Sequence, residues 1–372
     1  MPIKNIFKKW NFIISLAFLF IASLFFSSSM LFPLDSVVLE ESYLQQCSYL
    51  DINVFTILEK GGVPFWSFHF GGGYPFLKHP ENISFSPLFY AFVLPFGSSA
   101  GMKLLLLFSY LAGITGILLF CRKILRYSAV SSFIVSSFFT FCSFIPFQIN
   151  TGNTRDRQWF FLPLLLYLLE RSVDGFGWLL LCSAAIVLLL FNGFNLYLAP
   201  IFLFMFLYAL LKDLSRSKKS VRPLRGNMLT LNFIYILLIA LFLGAVKIVP
   251  VLELLSRNPR SFMEYSAASR GGMDILNFFR ALLTPGPYAV GNEAVAGPNG
   301  LGMGSVFYFG YIPVVLFVLS VISCPKRIWR HLTLFAVFLL LSMASNSPVD
   351  LFYFLWHLPI YSSIHEPARY FS

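Results

Sequence analysis

Asp35 stands two residues beyond Pro33, which closes an apolar run, and a carboxylate in that place has few uses. That place is the expected outer boundary of the membrane, which suits a substrate with a lipid tail. Glu40 and Glu41 lie near enough in sequence to substitute for it, and Asp35 can equally serve as a helix cap. Downstream, WSFHFGGGYPFLKHPENISFSPLFY (residues 66–90) sets Trp66, Phe68, Phe70 and Tyr74 around three consecutive glycines, with His69 and His79 on either side. Such rings can stack on a sugar, or settle as an aromatic belt in the headgroup layer. Each histidine can bind phosphate or shuttle a proton near neutral pH, or only hydrogen-bond to backbone. Asp156, between Arg155 and Arg157, offers a second carboxylate with cations beside it, or a self-paired turn. Lys247 lies inside an apolar run, where a cation can meet a phosphate or snorkel to the interface.

These groups need a scaffold, and the composition says which kind. The chain has 372 residues, of which 58% are hydrophobic and 12% charged, with mean hydropathy +0.76. A soluble domain carries roughly 25% charged residues, so a polytopic membrane protein is expected. The net charge of +11 does not indicate nucleic acid, because the basic residues fall in short runs between apolar spans. The first span, roughly 12–32, is longer than a signal-peptide core and reads as an uncleaved anchor with a cytoplasmic N-terminus. Further spans are expected near 101–121, 128–149, 159–170, 176–194, 196–211, 230–253, 305–323 and 332–345, two of them (159–170 and 332–345) short for a bilayer.

If each span reverses direction, the cytoplasmic pieces are residues 1–11, CRKILR, ERSVDG, KDLSRSKKSVRPLR and PKRIWR. Together they hold 16 of the 27 Lys and Arg, as the positive-inside rule requires. Two long segments, 33–100 and 254–304, then lie outside with the turn TGNTRDRQ, and polar chemistry is expected there. Within the first, Ile52, Phe55, Ile57 and Leu58 fall on one side of a short interfacial helix ended by Gly61 and Gly62. The glycines at 71–73 and Pro64, Pro75, Pro80 and Pro87 predict a shaped loop in place of a continuous helix. The second segment, rich in Arg, Gly and Pro, reads as a loop that can cover an outer cavity, with Arg257 or Arg260 touching substrate.

Of five cysteines only Cys47 lies clearly outside, which implies no disulfide framework. There is no CxxC pair, HExxH, P-loop or GxSxG, and no regular repeat. Asn82-Ile83-Ser84 matches the glycosylation acceptor pattern, a match that also arises by chance.

An acidic residue past the first span, an interfacial helix, then W-S-x-x-x-G-G-G-x-P and a later S-P-L resemble the YfhO-like bacterial membrane protein family, itself similar to the GT-C superfamily of glycosyltransferases. TGNTRDRQWFFLPL, NGFNLYLAP, VKIVPVLELL and IHEPARYF extend the resemblance over most of the chain. The resemblance implies an all-α polytopic integral membrane protein: a single GT-C-like domain over 1–372, a helical bundle of about nine transmembrane spans with a long first outer loop. It implies a transferase moving a sugar from a polyprenyl-phosphate donor to a cell-envelope glycan or polymer acceptor at the outer face of a bacterial cytoplasmic membrane. Asp35 would be the base or a metal ligand (Mg or Mn), and Asp156 the second acid. Trp66, His69, His79, Arg155, Arg157, Lys247, Arg257, Arg260 and, in the last motif, His365, Glu366 and Arg369 would meet substrate. Family members continue into further spans past that motif, which implies a chain shortened at its C-terminus. The competing expectation is a non-catalytic transporter or flippase for a lipid-linked or polar solute. Transporters place ionisable residues near the bilayer midplane, whereas here the polar residues gather outside.

Overall fold

The structure, a computed structural model, describes residues 3–36, 41–69, 72–142, 154–193, 198–217, 228–258, 264–284, 308–358, 361–363 and 367–370. The described residues are helical, with no strand among them and one isolated bridge pairing Ser67 with Tyr74. The principal helices are α1 (Ile3–Phe26), α2 (Glu41–Lys60), α3 (Ser98–Leu119), α4 (Ala129–Phe141), α5 (Leu162–Arg171), α6 (Phe176–Phe191), α7 (Leu198–Ser217), α8 (Leu229–Leu243) and α9 (Ala245–Arg257). They are followed by α10 (Ile275–Leu283), α11 (Tyr311–Ser323), α12 (Pro325–Met343) and α13 (Leu351–Trp356). The chain divides into two compact units, α1–α6 with α8 and α9 in one, and α7 with α10–α13 in the other.

Each expected span falls on a helix, but the helices differ in reach. Among the described residues three are long and apolar enough to cross a membrane: Phe89–Ile124, which contains α3, Leu198–Ser215 and Ile328–Asn346. The expected span at 230–253 is not one straight rod. It is the pair α8 and α9, bent by 78° at Gly244, and counts as a fourth crossing if the pair is a single span. A side chain at Gly244 would sit 2.9 Å from the Ala240 carbonyl oxygen, so only glycine fits the break. Shorter apolar helices cover Trp10–Phe26, Ala129–Phe141, Phe176–Phe191 and Tyr311–Ser323. α5, ten residues long after the 3-10 turn Thr154–Phe161, is far below the roughly 20 residues of a spanning helix.

Apolar side chains face outward on these helices, among them Phe18, Ile21 and Phe25 of α1 and Leu238 and Phe242 of α8. In water such faces would be unfavourable, and in lipid they are the ordinary surface. Inside the first unit α3 packs against α5 where Gly113 meets Phe160 and Gly116 meets Leu164; a Cβ at Gly116 would lie 2.4 Å from the Leu164 nitrogen. In the second unit Phe338, Leu341, Ala344, Phe352 and Tyr370 form the core. The second outer segment is not only loop: Asp274 caps α10 by accepting from the Asn277 N–H at 2.8 Å, and α10 buries Phe278, Ala281 and Leu282.

The segment between α1 and α3 also departs from expectation. Its helix, α2, has 20 residues and begins nine before Leu50, where the expected helix starts. It buries Tyr43, Gln46, Cys47, Leu50 and Asn53, a helical stripe, and leaves Phe55 and Leu58 exposed. Gly61 closes it with φ +68° and an N–H bonded to the Ile57 carbonyl at 3.1 Å.

Candidate functional site

Two buried lysines fix residues 33–36 and 76–86. Lys103, on α3, has no exposed surface and donates all three ammonium hydrogens: to the Pro33 and Ser36 carbonyls at 2.7 Å each and to Ser36 Oγ at 2.9 Å. Ser99 Oγ adds a bond to the Ser36 carbonyl at 2.7 Å, and Tyr43 Oη reaches Ser99 at 3.2 Å. The residues on either side of Asp35 are therefore fixed to α3 while Asp35 itself is exposed. Burial pushes the Tyr43 hydroxyl up to about 12 and the Cys47 thiol up to about 11, so both are neutral at physiological pH.

Lys247, on α9, is 1% exposed and donates to the His79 and Asn82 carbonyls, each at 2.7 Å. Beside it Lys78 pairs with Glu253 at 2.7 Å, and Glu253 also receives Arg257 at 2.9 Å. Residues 76–86 are thus bound to α9 from one side. From the other, Asn82 is buried, donates to the Phe76 carbonyl at 2.9 Å and accepts from the Ser84 N–H at 2.7 Å, while Ser84 Oγ reaches Asn53 Oδ1 of α2 at 2.5 Å. An asparagine so committed is no glycosylation acceptor. Ser86 Oγ continues the network to Asn192 Oδ1 at 2.5 Å.

The glycines make the turn their type foretells. Gly72 and Gly73 have φ +80° and +129°, and Ser67 and Tyr74 exchange backbone bonds of 2.9 and 2.8 Å. A Cβ at Gly73 would lie 2.7 Å from Trp66 Nε1, so the indole lies against bare backbone. Trp66, Phe68 and His69 are exposed, with the His69 ring edge-on to Phe55. His79 is packed among Tyr49, Tyr74 and Phe76, and its Nδ1 accepts from the Glu81 N–H at 3.2 Å, which places the neutral ring's proton on Nε2.

Beneath this loop the first unit encloses a cavity of about 40 Å³ lined by Gln46, Tyr49, Leu50, Glu81, Ile83, Met102, Arg157, Gln158, Asn192 and Gly193. Arg157 is buried and its Nη2 reaches the Asn192 carbonyl at 3.5 Å. Gln158 donates to the Gly193 carbonyl at 2.7 Å. The cavity therefore joins one acid, one guanidinium and three amides from segments far apart in sequence.

Of the candidates read from sequence, the structure sets Asp35 in a fixed, exposed turn, Arg157 on the cavity wall, and His79 and Lys247 in the loop that covers it. Lys247 holds that loop, a positioning role, in place of an open phosphate site. Arg257 is 73% exposed on its side chain and paired with Glu253. Glu40, Arg260, His365 and Glu366 lie outside the described residues, as do the side chains of Glu41, Arg155, Asp156 and Arg369. No three His, Cys, Asp or Glu side chains gather as metal ligands among the described residues, so Asp35 has no described co-ligand. Sequence reasoning missed Lys103, Glu81, Gln158 and Asn192. Glu81 had a usable signal, a carboxylate between Pro80 and Asn82 in a stretch otherwise aromatic and small; Asn192, inside FNGFN, had the same signal as Lys247, a polar group at the end of an apolar run.

No family model, no curated protein and no solved structure matches this chain.

Proposed function

We propose that the chain is a membrane glycosyltransferase of the outer face, a GT-C-like bundle of about nine spans with its N-terminus in the cytoplasm of a bacterial cell. It moves a sugar from polyprenyl phosphate to a cell-envelope acceptor. The observation that carries this reading is Asp35: an exposed carboxylate at the end of the first apolar helix whose flanking backbone is fixed by a fully buried lysine. Burying an ammonium group carries a large desolvation penalty unless its hydrogens are all bonded, and here they are bonded to the turn that presents Asp35. In the proposed step the acceptor hydroxyl oxygen attacks the anomeric carbon, its proton passes to the Asp35 carboxylate, and the bond to the lipid phosphate breaks with the electron pair leaving on phosphate. Arg157, on the cavity wall, is the described cation we assign to a sugar oxygen.

The test is transfer of labelled sugar from polyprenyl-phosphate donors in membranes holding the chain. Asp35→Asn is expected to lower transfer by about 10²–10⁴-fold, the usual contribution of a general base. Undiminished transfer removes Asp35 from the chemistry. A second reading, a transporter or flippase, draws on the 78° break between α8 and α9 with a buried lysine beside it, the kind of broken helix that lines transport sites. Movement of a lipid-linked sugar across vesicles without transfer would favour it.

A further inference from the structure

The cavity under residues 76–86 is lined by Gln158, whose side-chain oxygen has no described donor. Gln158 is 2% exposed, and its Nε2 donates to the Gly193 carbonyl at 2.7 Å. That bond fixes the amide orientation, since a carbonyl can face only the nitrogen, and Oε1 is left facing the other way with no partner among the described residues. A buried amide oxygen without a donor is destabilising, so an occupant that donates a hydrogen bond is called for. The charges on the cavity wall, Glu81 and Arg157, cancel, which disfavours a net anion or cation. The volume of about 40 Å³ is too small for a sugar ring and exceeds the roughly 10–15 Å³ needed for one water. The lining is mixed, with the apolar Ile83 and Met102 beside the amides of Gln46, Gln158 and Asn192. A neutral group with one carbon and one hydroxyl matches all four properties.

We infer that this cavity is a specificity subsite for the primary hydroxymethyl arm of a hexose. The hydroxyl donates to Gln158 Oε1, and the methylene lies on Ile83 and Met102. The choice of a sugar as the ligand rests on the transferase reading, while the preference for a hydroxymethyl arm rests on the cavity. Glucose, galactose and mannose differ in ring stereochemistry but share this arm, so the subsite selects hexoses over pentoses and 6-deoxyhexoses.

The experiment is binding of free sugars to the purified full-length chain in nanodiscs, read by thermal unfolding and tryptophan fluorescence. Glucose, galactose and mannose are each compared with the 6-deoxy counterpart, and all with xylose. At least one hexose is expected to bind about tenfold tighter than its 6-deoxy form, the size of one hydrogen bond. Gln158→Met should erase that difference, and Ile83→Phe, which fills the cavity while leaving the Gln158 to Gly193 bond in place, should weaken the hexose alone. Equal binding of hexose and 6-deoxyhexose by the unaltered protein overturns the inference, since the cavity then holds internal water only; so does a Gln158→Met protein that folds and still discriminates. The two readings fail separately. Discrimination without any sugar transfer leaves the subsite and sinks the transferase, whereas Asp35-dependent transfer with no hydroxymethyl preference does the reverse.

Discussion

Lys103 and Lys247 solve one problem in two ways. Both are buried ammonium groups on apolar helices, and both donate to backbone carbonyls of the segment between α1 and α3. Lys103 has three bonds and secures a turn of four residues, 33–36, from a straight helix; Lys247 has two, to residues 79 and 82, from a helix that starts at the 78° break. Around Lys103 the neighbours are the Ser99 hydroxyl, which repeats its bond to the Ser36 carbonyl, and the Tyr43 hydroxyl, which bonds Ser99. Around Lys247 they are an ion pair and a chain of amides that leads to a cavity. The difference teaches that a buried cation can serve either to hold a reactive group out in the open or to close a loop over a pocket, and that the count of bonds alone does not say which.

The largest effect is expected from Lys103→Met. It removes three charge-assisted bonds, each worth about 1.5–3 kcal/mol, and releases the turn that carries Asp35. Thermal unfolding in detergent should show a drop of many degrees, and transfer should fall with it. Lys103→Arg should not restore either, because a planar guanidinium cannot place its hydrogens on three acceptors arranged for an ammonium. Lys247→Met comes next, with the loss of two such bonds. Its signature should be local: the Asn82 N–H, which donates to the same His79 carbonyl at 3.1 Å, should exchange with deuterium faster, while the Lys103 turn stays protected. A Lys247→Met protein less stable than Lys103→Met would break the ranking and make the loop cover the main structural element.

A third measurement sharpens the contrast through Cys47, which lies on the buried stripe of α2 beside Tyr43. Burial raises its thiol from 9.0 to about 11, so the folded protein holds that proton more tightly than the unfolded chain does. The stabilisation is complete below about pH 9 and is lost as pH rises through about 11. Melting temperature should fall across that window, and less steeply in Cys47→Ala. Maleimide at pH 8 should modify exposed Cys324 and spare Cys47 in the native protein, and reach Cys47 once Lys103→Met loosens the region. Labelling of Cys47 in the unaltered protein would show that the Lys103 region is the more open of the two.

How far these features were legible in the sequence follows from what surrounds each one. Lys247 announced itself, with apolar residues on both sides, whereas Lys103 follows SSAGM at the start of a span and looks like an ordinary interfacial lysine. The helical spans came through as apolar runs, and Gly61, Gly72 and Gly73 as turn residues, because their signals are local. The start of α2 did not, since Gln46 and Asn53 sit in its buried stripe and break the apolar period; they are tolerated there by hydrogen bonds from another segment, as Asn53 shows with Ser84. The bend at Gly244 and the approach of Gly116 to Leu164 depend on a partner helix, which no window of sequence contains. The cavity was the least visible part. Its acid, guanidinium and amides come from residues 46, 81, 157, 158 and 192, and only the fold puts them on one wall.

The smallest expected effect concerns the ion pair beside Lys247. Lys78 and Glu253 meet at 2.7 Å, but both side chains are about a third exposed, and Arg257 stands ready as a second partner for the same carboxylate. Solvent and salt screen such a pair, and the loop it borders is already held by two bonds from a buried lysine. Lys78→Gln should therefore change the melting temperature little, and less at high salt than at low. A large, salt-independent loss would mean that the ion pair and Lys247 hold the loop jointly. The double variant Lys78→Gln/Lys247→Met would show it directly, since independent contributions add, whereas a shared clamp makes the second substitution nearly without further effect.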